Sequence, residues 1–179
     1  MKLYLVRHTR VDVPSGICYG RTDVPLADSF ETESEFIRSE LSGIEFDHVF
    51  CSPSSRCMQL GTLLNYPLHP DERLKELNFG EWEGNTWDAI FESPSGKKWF
   101  ADYLHEACPN GESYQDMLHR IESFITDLPG TDLPETNGNI LVITHAGVIR
   151  AFQVLLKNRP IKKVFDTPIV YGQITILEK

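Results

Sequence analysis

Two arginines and two histidines in this 179-residue chain stand where a phosphoryl group could be gripped and attacked: Arg7, His8, Arg56 and His145. Arginine presents a rigid fork of donors that matches phosphate oxygens, and imidazole can be neutral or protonated near pH 7. A phosphate monoester carries up to about two negative charges, which repel an incoming nucleophile. Two guanidinium groups and a protonated imidazole would neutralise that charge and favour the more charged transition state. The nucleophile itself should be uncharged. Imidazole meets that need, and neighbouring arginines push its pKa down so that a nitrogen lone pair stays free. The leaving alkoxide then requires a proton from the far side. The stretch from Asp71 to Gly84 offers Asp71, Glu72, Glu76, Glu81 and Glu83, and residue type alone does not choose among them.

These side chains need elements that bring them together, and each follows a short apolar run. Leu3-Tyr4-Leu5-Val6 leads into Arg7-His8, Asp47-His48-Val49-Phe50-Cys51 leads through Ser52-Pro53-Ser54-Ser55 to Arg56, and Ile140-Leu141-Val142-Ile143-Thr144 leads into His145-Ala146-Gly147. Such runs read as buried strands. The second and third are followed by helical patterns, Cys57, Leu60, Leu63 and Leu64 after one and Val148, Phe152, Leu155 and Leu156 after the other. Strand, polar turn and helix in succession predict an α/β three-layer sandwich, a mostly parallel central sheet with helices on both faces. Ligands of open parallel sheets bind beyond the C-terminal strand ends, so the four side chains would line one edge. Two more helices are expected, one within Ser29–Leu41 stopping at Gly43, the other on the Tyr114, Met117, Leu118, Ile121, Ile125, Leu128 stripe. Ser113 and Asp116 cap the start of that second helix, and Pro129-Gly130 ends it. Gln173 to Leu177 closes the sheet. No repeat or linker divides the chain, so residues 1–179 read as one domain.

The composition is that of an ordinary globular protein, 41% apolar and 24% charged. A net charge of −9 argues against nucleic acid or an anionic membrane as partner but leaves room for a small phosphorylated metabolite. Cys18, Cys51, Cys57 and Cys108 show neither CxxC spacing nor disulfide-scaffold density and read as reduced thiols. The apolar run before Arg7 is too short for a signal-peptide core, and no run approaches the roughly 20 residues of a membrane span. A cytoplasmic location follows as the expectation. Six histidines (His8, His48, His69, His105, His119, His145) form no HxH, HxxxH or Cys/His cluster, so no metal or other cofactor is expected. His48, His69, His105 and His119 read as surface or packing residues.

In order along the chain, Leu5-Val6-Arg7-His8, Ser52-Pro53-Ser54-Ser55-Arg56, Leu74-Lys75-Glu76-Leu77-Asn78-Phe79-Gly80-Glu81-Trp82-Glu83-Gly84, Gly111-Glu112-Ser113 and Thr144-His145-Ala146-Gly147 resemble the motifs of the histidine phosphatase superfamily, the phosphoglycerate-mutase-like group. The resemblance implies that His8 is the nucleophile forming a phosphohistidine. It implies that Arg7, Arg56 and His145 hold the phosphoryl oxygens and that Glu76 is the proton donor, which later activates water. Glu81, Glu83 and Glu112 would be structural or peripheral. Arg7-His8-Thr9-Arg10 and the stretch from Gly16 through Cys18 to Leu26 look most like the alpha-ribazole phosphatases of late cobalamin synthesis, with Arg21 and Thr22 in substrate binding. The chain departs from the wider family at Thr9, where Gly is usual, and at Arg10, where Glu is usual. Thr9 narrows backbone freedom beside the nucleophile, and Arg10 would add positive charge near the pocket. The helix after Leu26 also lacks the family's usual Gly.

Rival functions share these motifs. A phosphoglycerate mutase must shield its phosphoenzyme from water, a task usually given to extra closing loops, and the mutases this short chain resembles are longer, with an extended tail. The same residues would also suit a broad-specificity phosphatase or a non-catalytic phosphate-binding module. Among Trp82, Trp87, Phe91, Trp99, Phe100 and Tyr103 most would pack the core, while Trp87, Trp99 and Tyr103 are candidates to contact an aromatic substrate.

Overall fold

The computed structural model describes residues 1–129 and 138–178. The first apolar run is strand β1 (Lys2–Arg7). Its alternation sends Leu3 and Leu5 to one face and Tyr4 and Val6 to the other, and all four are buried. After a long polar loop come α1 (Phe30–Glu40), β2 (His48–Cys51), α2 (Ser55–Leu64) and the two-residue edge strand β3 (His69–Pro70). The acid-rich turns follow, then the short helices α3 (Trp87–Glu92) and α4 (Pro94–Ala101) and the longer α5 (Tyr114–Thr126). The chain closes with β4 (Asn139–Thr144), α6 (Ala146–Lys157), α7 (Ile161–Val164) and β5 (Ile174–Glu178). The strands form one sheet in the order β3-β2-β4-β1-β5. β1, β2, β3 and β4 run parallel, and β5 is antiparallel to β1.

Two apolar layers cover the sheet, as the expected sandwich requires. Leu3, Leu5, Ile140 and Val142 pack with Met117, Ile121 and Phe124 of α5 and Val148 and Phe152 of α6. On the opposite face Tyr4, Val6, Leu141 and Ile143 pack with Ile37 of α1 and Cys57 and Leu60 of α2. A strand buried on both sides needs an unbroken apolar run rather than an alternating one, which is why β1 and β4 are recognisable in the sequence. The α3–α4 pair is not, because its aromatic residues have mixed spacing. Ser93 divides the two helices: its side chain accepts from the Gly96 N–H at 2.9 Å, and Pro94 takes the first turn, where no donor is needed.

Register places the chemistry. Val6 aligns with Ile143, and Ile143 aligns with Cys51, so Arg7-His8, Thr144-His145 and Ser52 leave the sheet at one level. The His8 N–H donates to the Thr144 carbonyl at 3.0 Å and the Ser52 N–H to the Ile143 carbonyl at 2.9 Å. Because β5 is antiparallel, residues 169–173 enter it at this same edge. Among the described residues no helix is long and apolar enough to cross a membrane.

The α5 start carries the full capping box expected at Ser113 and Asp116. The Asp116 N–H donates to Ser113 Oγ, while Asp116 Oδ2 accepts from the Ser113 N–H and Oγ–H. The Gly130 expected to end this helix lies outside the described residues. Ser113→Ala should cost about 1 kcal/mol of stability, read as a lower urea midpoint with an unchanged m-value. An unchanged midpoint would show that the cap contributes nothing here.

Candidate active site

His8 is almost fully buried, at 2% exposure. Its Nδ1 lies 2.7 Å from the Thr9 carbonyl oxygen. A carbonyl can only accept, so the proton sits on Nδ1 and the Nε2 lone pair is left free. Burial, then Arg56 and more weakly Arg7, lowers the His8 pKa to about 3 despite the opposing pull of the Thr9 hydrogen bond. The imidazole is therefore uncharged at neutral pH, the state a nucleophile needs. The His145 ring centroid is 5.2 Å away. His145 Nε2 lies 2.8 Å from Ser52 Oγ, and its Nδ1 lies 3.3 Å from a guanidinium nitrogen of Arg56. Guanidinium can only donate, so Nδ1 accepts and Nε2–H donates to Ser52. Burial first, then Arg56, holds His145 far below its usual pKa. The residue types alone suggest one protonated imidazole. In this pocket both imidazoles are neutral, because full burial beside fixed guanidinium charge disfavours a further cation.

The positive charge thus comes from arginine. Arg56 is wholly buried, yet its guanidinium lies within ion-pair distance of no carboxylate among the described residues. It donates to the carbonyls of Gly20 at 2.6 Å and Thr22 at 3.1 Å. Arg7 donates to the Ile169 carbonyl at 2.5 Å and lies over the Tyr171 ring, 3.8 Å from its centroid. The Nε atoms of both arginines are buried with no hydrogen-bond partner among the described residues. Buried cationic donors without an acceptor call for an anion. Arg10 differs from expectation. It is exposed, its guanidinium lies 3.5 Å from Glu33, and its charge is spent outside the pocket.

Glu76 reaches the same edge from the acid segment. Its carboxylate accepts from its neighbour's N–H, Leu77, at 3.0 Å and from the Gly147 N–H in the first turn of α6 at 3.1 Å. A Cβ on Gly147 would fall 2.3 Å from Glu76 Oε1, so only glycine lets the carboxylate sit there. Thr144 Oγ1 donates to the Leu74 carbonyl at 2.8 Å, and Arg120 donates to the Glu76 carbonyl at 3.2 Å, which fixes the turn. The other carboxylates are committed to scaffolding. Glu83 accepts from the N–H groups of Arg21 at 2.9 Å and Thr22 at 2.6 Å and from the Thr22 hydroxyl. Burial alone would raise its pKa, but these hydrogen bonds outweigh burial and hold it low. Glu112 takes Arg21 at 3.0 Å and Arg120 at 2.6 Å. Asp71 and Asp127 share Arg73, and Glu81 accepts from Asn110 at 2.5 Å.

Arg21 and Thr22 therefore have their side chains tied to Glu112 and Glu83. Their segment meets the pocket through backbone, presenting the Gly20 and Thr22 carbonyls to Arg56. A Cβ at Gly20 would lie 2.0 Å from the Leu77 carbonyl, which explains the glycine. Asp23 extends the same segment by accepting from the Ser55 N–H, 2.9 Å away, at the start of α2. Trp99 packs edge-on against Trp82 and Phe100 and face-on toward Trp87. It also lines a concavity of about 500 Å³ with Phe100, Ala101, Tyr103, Lys162 and Phe165. Trp87 is not part of that lining. His105 pairs with Asp102 and His119 is exposed; His48 stacks near Phe50, and His69 is exposed on β3.

Four neighbours of the pocket carry no sequence signal strong enough to find them. Tyr171 underlies Arg7, and its hydroxyl lies 2.6 Å from that of Tyr19. Tyr114 and Arg150 both feel the Glu76 charge, and both lie against the Phe165 ring.

A model described as the histidine phosphatase superfamily (branch 1) matches residues 3–179. Two curated relatives align over nearly the whole chain. One, from Hydrogenobacter thermophilus, is 28% identical over 97% of this chain and 87% of its own, and is provisionally named phosphoserine phosphatase 2. The other, the adenosylcobalamin/alpha-ribazole phosphatase of Salmonella typhimurium, is 27% identical over 96% of this chain and 87% of its own. The crystal structure of the alpha-ribazole phosphatase from Shigella flexneri superposes with a TM-score of 0.87 at 25% identity, covering 99% of this chain and 90% of that one.

The two neutral imidazoles give a pH dependence with a definite sign. The folded His8 pKa, about 3, lies below its value of about 6.5 in an unfolded chain. Between those values the unfolded chain binds the extra proton, so stability falls as pH drops. His145 acts in the same direction. Urea unfolding between about pH 7 and pH 5 should show this loss, with a shallower slope in His8→Asn. A wild-type stability flat over that range would contradict the neutral assignment.

Proposed function

This chain belongs to the histidine phosphatase superfamily (branch 1) and is a phosphoric monoester hydrolase; from that premise we propose that it removes the 5′-phosphate from alpha-ribazole phosphate, or from the phosphorylated cobamide, through a phosphohistidine on His8. The observation that carries the mechanism is the buried, uncharged His8 with Nε2 free, close to two arginines whose Nε donors have no acceptor among the described residues. In this reading Arg7, Arg56 and His145 hold the phosphoryl oxygens. Nε2 of His8 attacks phosphorus, the ester P–O bond breaks, and Glu76 gives its proton to the departing alkoxide. The Glu76 carboxylate then takes a proton from water, which attacks the phosphohistidine and releases orthophosphate. The enzyme is a single domain spanning residues 1–179, acts in the cytoplasm and needs no cofactor.

The substrate assignment draws on the relatives named for alpha-ribazole phosphate and on the apolar concavity. Phe165 lies at once in that concavity and against Tyr114 and Arg150, the neighbours of Glu76. A leaving group protonated by Glu76 would extend in this direction, where Trp99 and Tyr103 offer aromatic faces to a benzimidazole ring. The Hydrogenobacter relative supports a second reading, a small aliphatic ester such as phosphoserine.

Kinetics on alpha-ribazole phosphate, phosphoserine and p-nitrophenyl phosphate separate these readings. A preference for alpha-ribazole phosphate above about tenfold in kcat/KM, roughly 1.4 kcal/mol, is expected, and Trp99→Ala should narrow it. Preference for phosphoserine would replace this substrate with the second reading. His8→Ala should abolish turnover together with the acid-labile phosphoenzyme, and undiminished turnover would defeat the mechanism. Glu76→Gln should retain a burst of p-nitrophenol, whose good leaving group needs no proton, while losing about 100-fold or more on alkyl esters. Equal loss on both without a burst would remove Glu76 from its role.

A further inference from the structure

Two tyrosines meet beside Arg7 and Arg56 from opposite ends of the chain. Tyr19 comes from the loop after β1 and Tyr171 from the segment entering β5, and their hydroxyl oxygens are 2.6 Å apart. Each ring serves a different arginine. Tyr171 lies beneath Arg7 at 3.8 Å, while the Arg56 guanidinium carbon is 5.7 Å from the Tyr19 centroid. The Tyr171 ring is also 5.6 Å from that of His8. The segment bearing Tyr171 is bound to the end of β1 on both sides. The Ile169 carbonyl accepts from the Arg7 side chain, the Gln173 carbonyl from the Arg7 N–H at 3.0 Å, and the Gly172 N–H donates to the His8 carbonyl at 3.2 Å.

Proton counting gives the pair a consequence. Two phenols hold two hydroxyl hydrogens, and one of them fills the short contact between the oxygens. The other has no acceptor among the described residues. Burial, then the hydrogen bond to Tyr171, raises the Tyr19 pKa, so Tyr19 keeps its hydrogen at neutral pH. An anion that completes the unpaired Nε donors of Arg7 and Arg56 would bring an acceptor to the same pocket.

We propose that Tyr19 and Tyr171 act as one neutral clamp: the Tyr171 ring holds the Arg7 guanidinium in place, and the hydroxyl pair donates its single uncommitted hydrogen to the bound phosphoryl group. This rests on reading the pocket as a phosphoryl site. The clamp adds a donor without adding charge, so it completes the oxygen contacts and leaves His8 neutral. Either hydroxyl alone can supply the hydrogen, since removing one frees the other.

The test uses orthovanadate inhibition and p-nitrophenyl phosphate kinetics on Tyr19→Phe, Tyr171→Phe, the double variant and Tyr171→Leu. Each single Phe variant should stay within about threefold of wild type, while the double variant weakens vanadate binding and kcat/KM by about tenfold or more. Tyr171→Leu should fall well below Tyr171→Phe, because only leucine removes the face beneath Arg7. Single effects that multiply to give the double, or an unchanged vanadate affinity in the double, would overturn the clamp. Vanadate should also perturb the near-UV tyrosine absorbance of the wild-type protein, less so in either single variant, and no perturbation would overturn it independently of how the double variant folds. Failure of the phosphoryl-site reading shows separately, as turnover that survives in His8→Ala.

Discussion

Much of this structure follows from holding two guanidinium groups, Arg56 wholly buried and Arg7 partly so, without a carboxylate. An isolated buried charge costs several kcal/mol, and the fold offsets that cost with carbonyl oxygens and aromatic faces instead of counter-ions. Arg56 is met by Gly20 and Thr22, and Arg7 by Ile169 and Tyr171. A carboxylate in either place would have satisfied the arginine and closed the pocket to phosphate. Carbonyls solvate the cation but leave the local charge positive, and neither Nε donor has an acceptor among the described residues.

The same charge sets the state of the histidines. Burial and the nearby guanidiniums both act against protonation, so neither imidazole can share the load. His8 keeps a lone pair because the Thr9 carbonyl claims its other nitrogen. Thr9 itself is fully buried at the edge of the sheet, in keeping with a side chain other than Gly beside His8. The neutral state is a property of the site, assembled from a strand end, a helix start and a loop.

The carboxylates divide according to what surrounds them. Glu83 and Glu112 sit among N–H groups and arginines and act as internal clamps for the 20–22 segment, which in turn presents its carbonyls to Arg56. The acid segment thus does two jobs. It steadies the loop that anchors one arginine, and it delivers Glu76 to the first turn of α6, against a glycine that leaves room for it.

Much of this is legible in the residues alone. Unbroken apolar runs ending in Arg7-His8, Arg56 and His145 identify strands covered on both faces, and parallel strands must deliver their C-terminal ends to one edge. The Ser113 cap is readable too, because capping depends on neighbours three residues apart. Other features are out of reach. That β5 runs antiparallel, bringing Ile169 and Tyr171 to the edge where β1 ends, depends on which strand it pairs with. That Arg21 and Thr22 turn to Glu112 and Glu83 while their backbone serves Arg56 depends on loop packing across some 60 to 90 residues of chain. The protonation of His8 and His145 depends on burial and on charges brought from distant segments. Local sequence determined the elements and the kinds of group they carry, because periodicity and capping are short-range. Only tertiary structure decided which donors remain unpaired, because desolvation and pairing are properties of the assembled site.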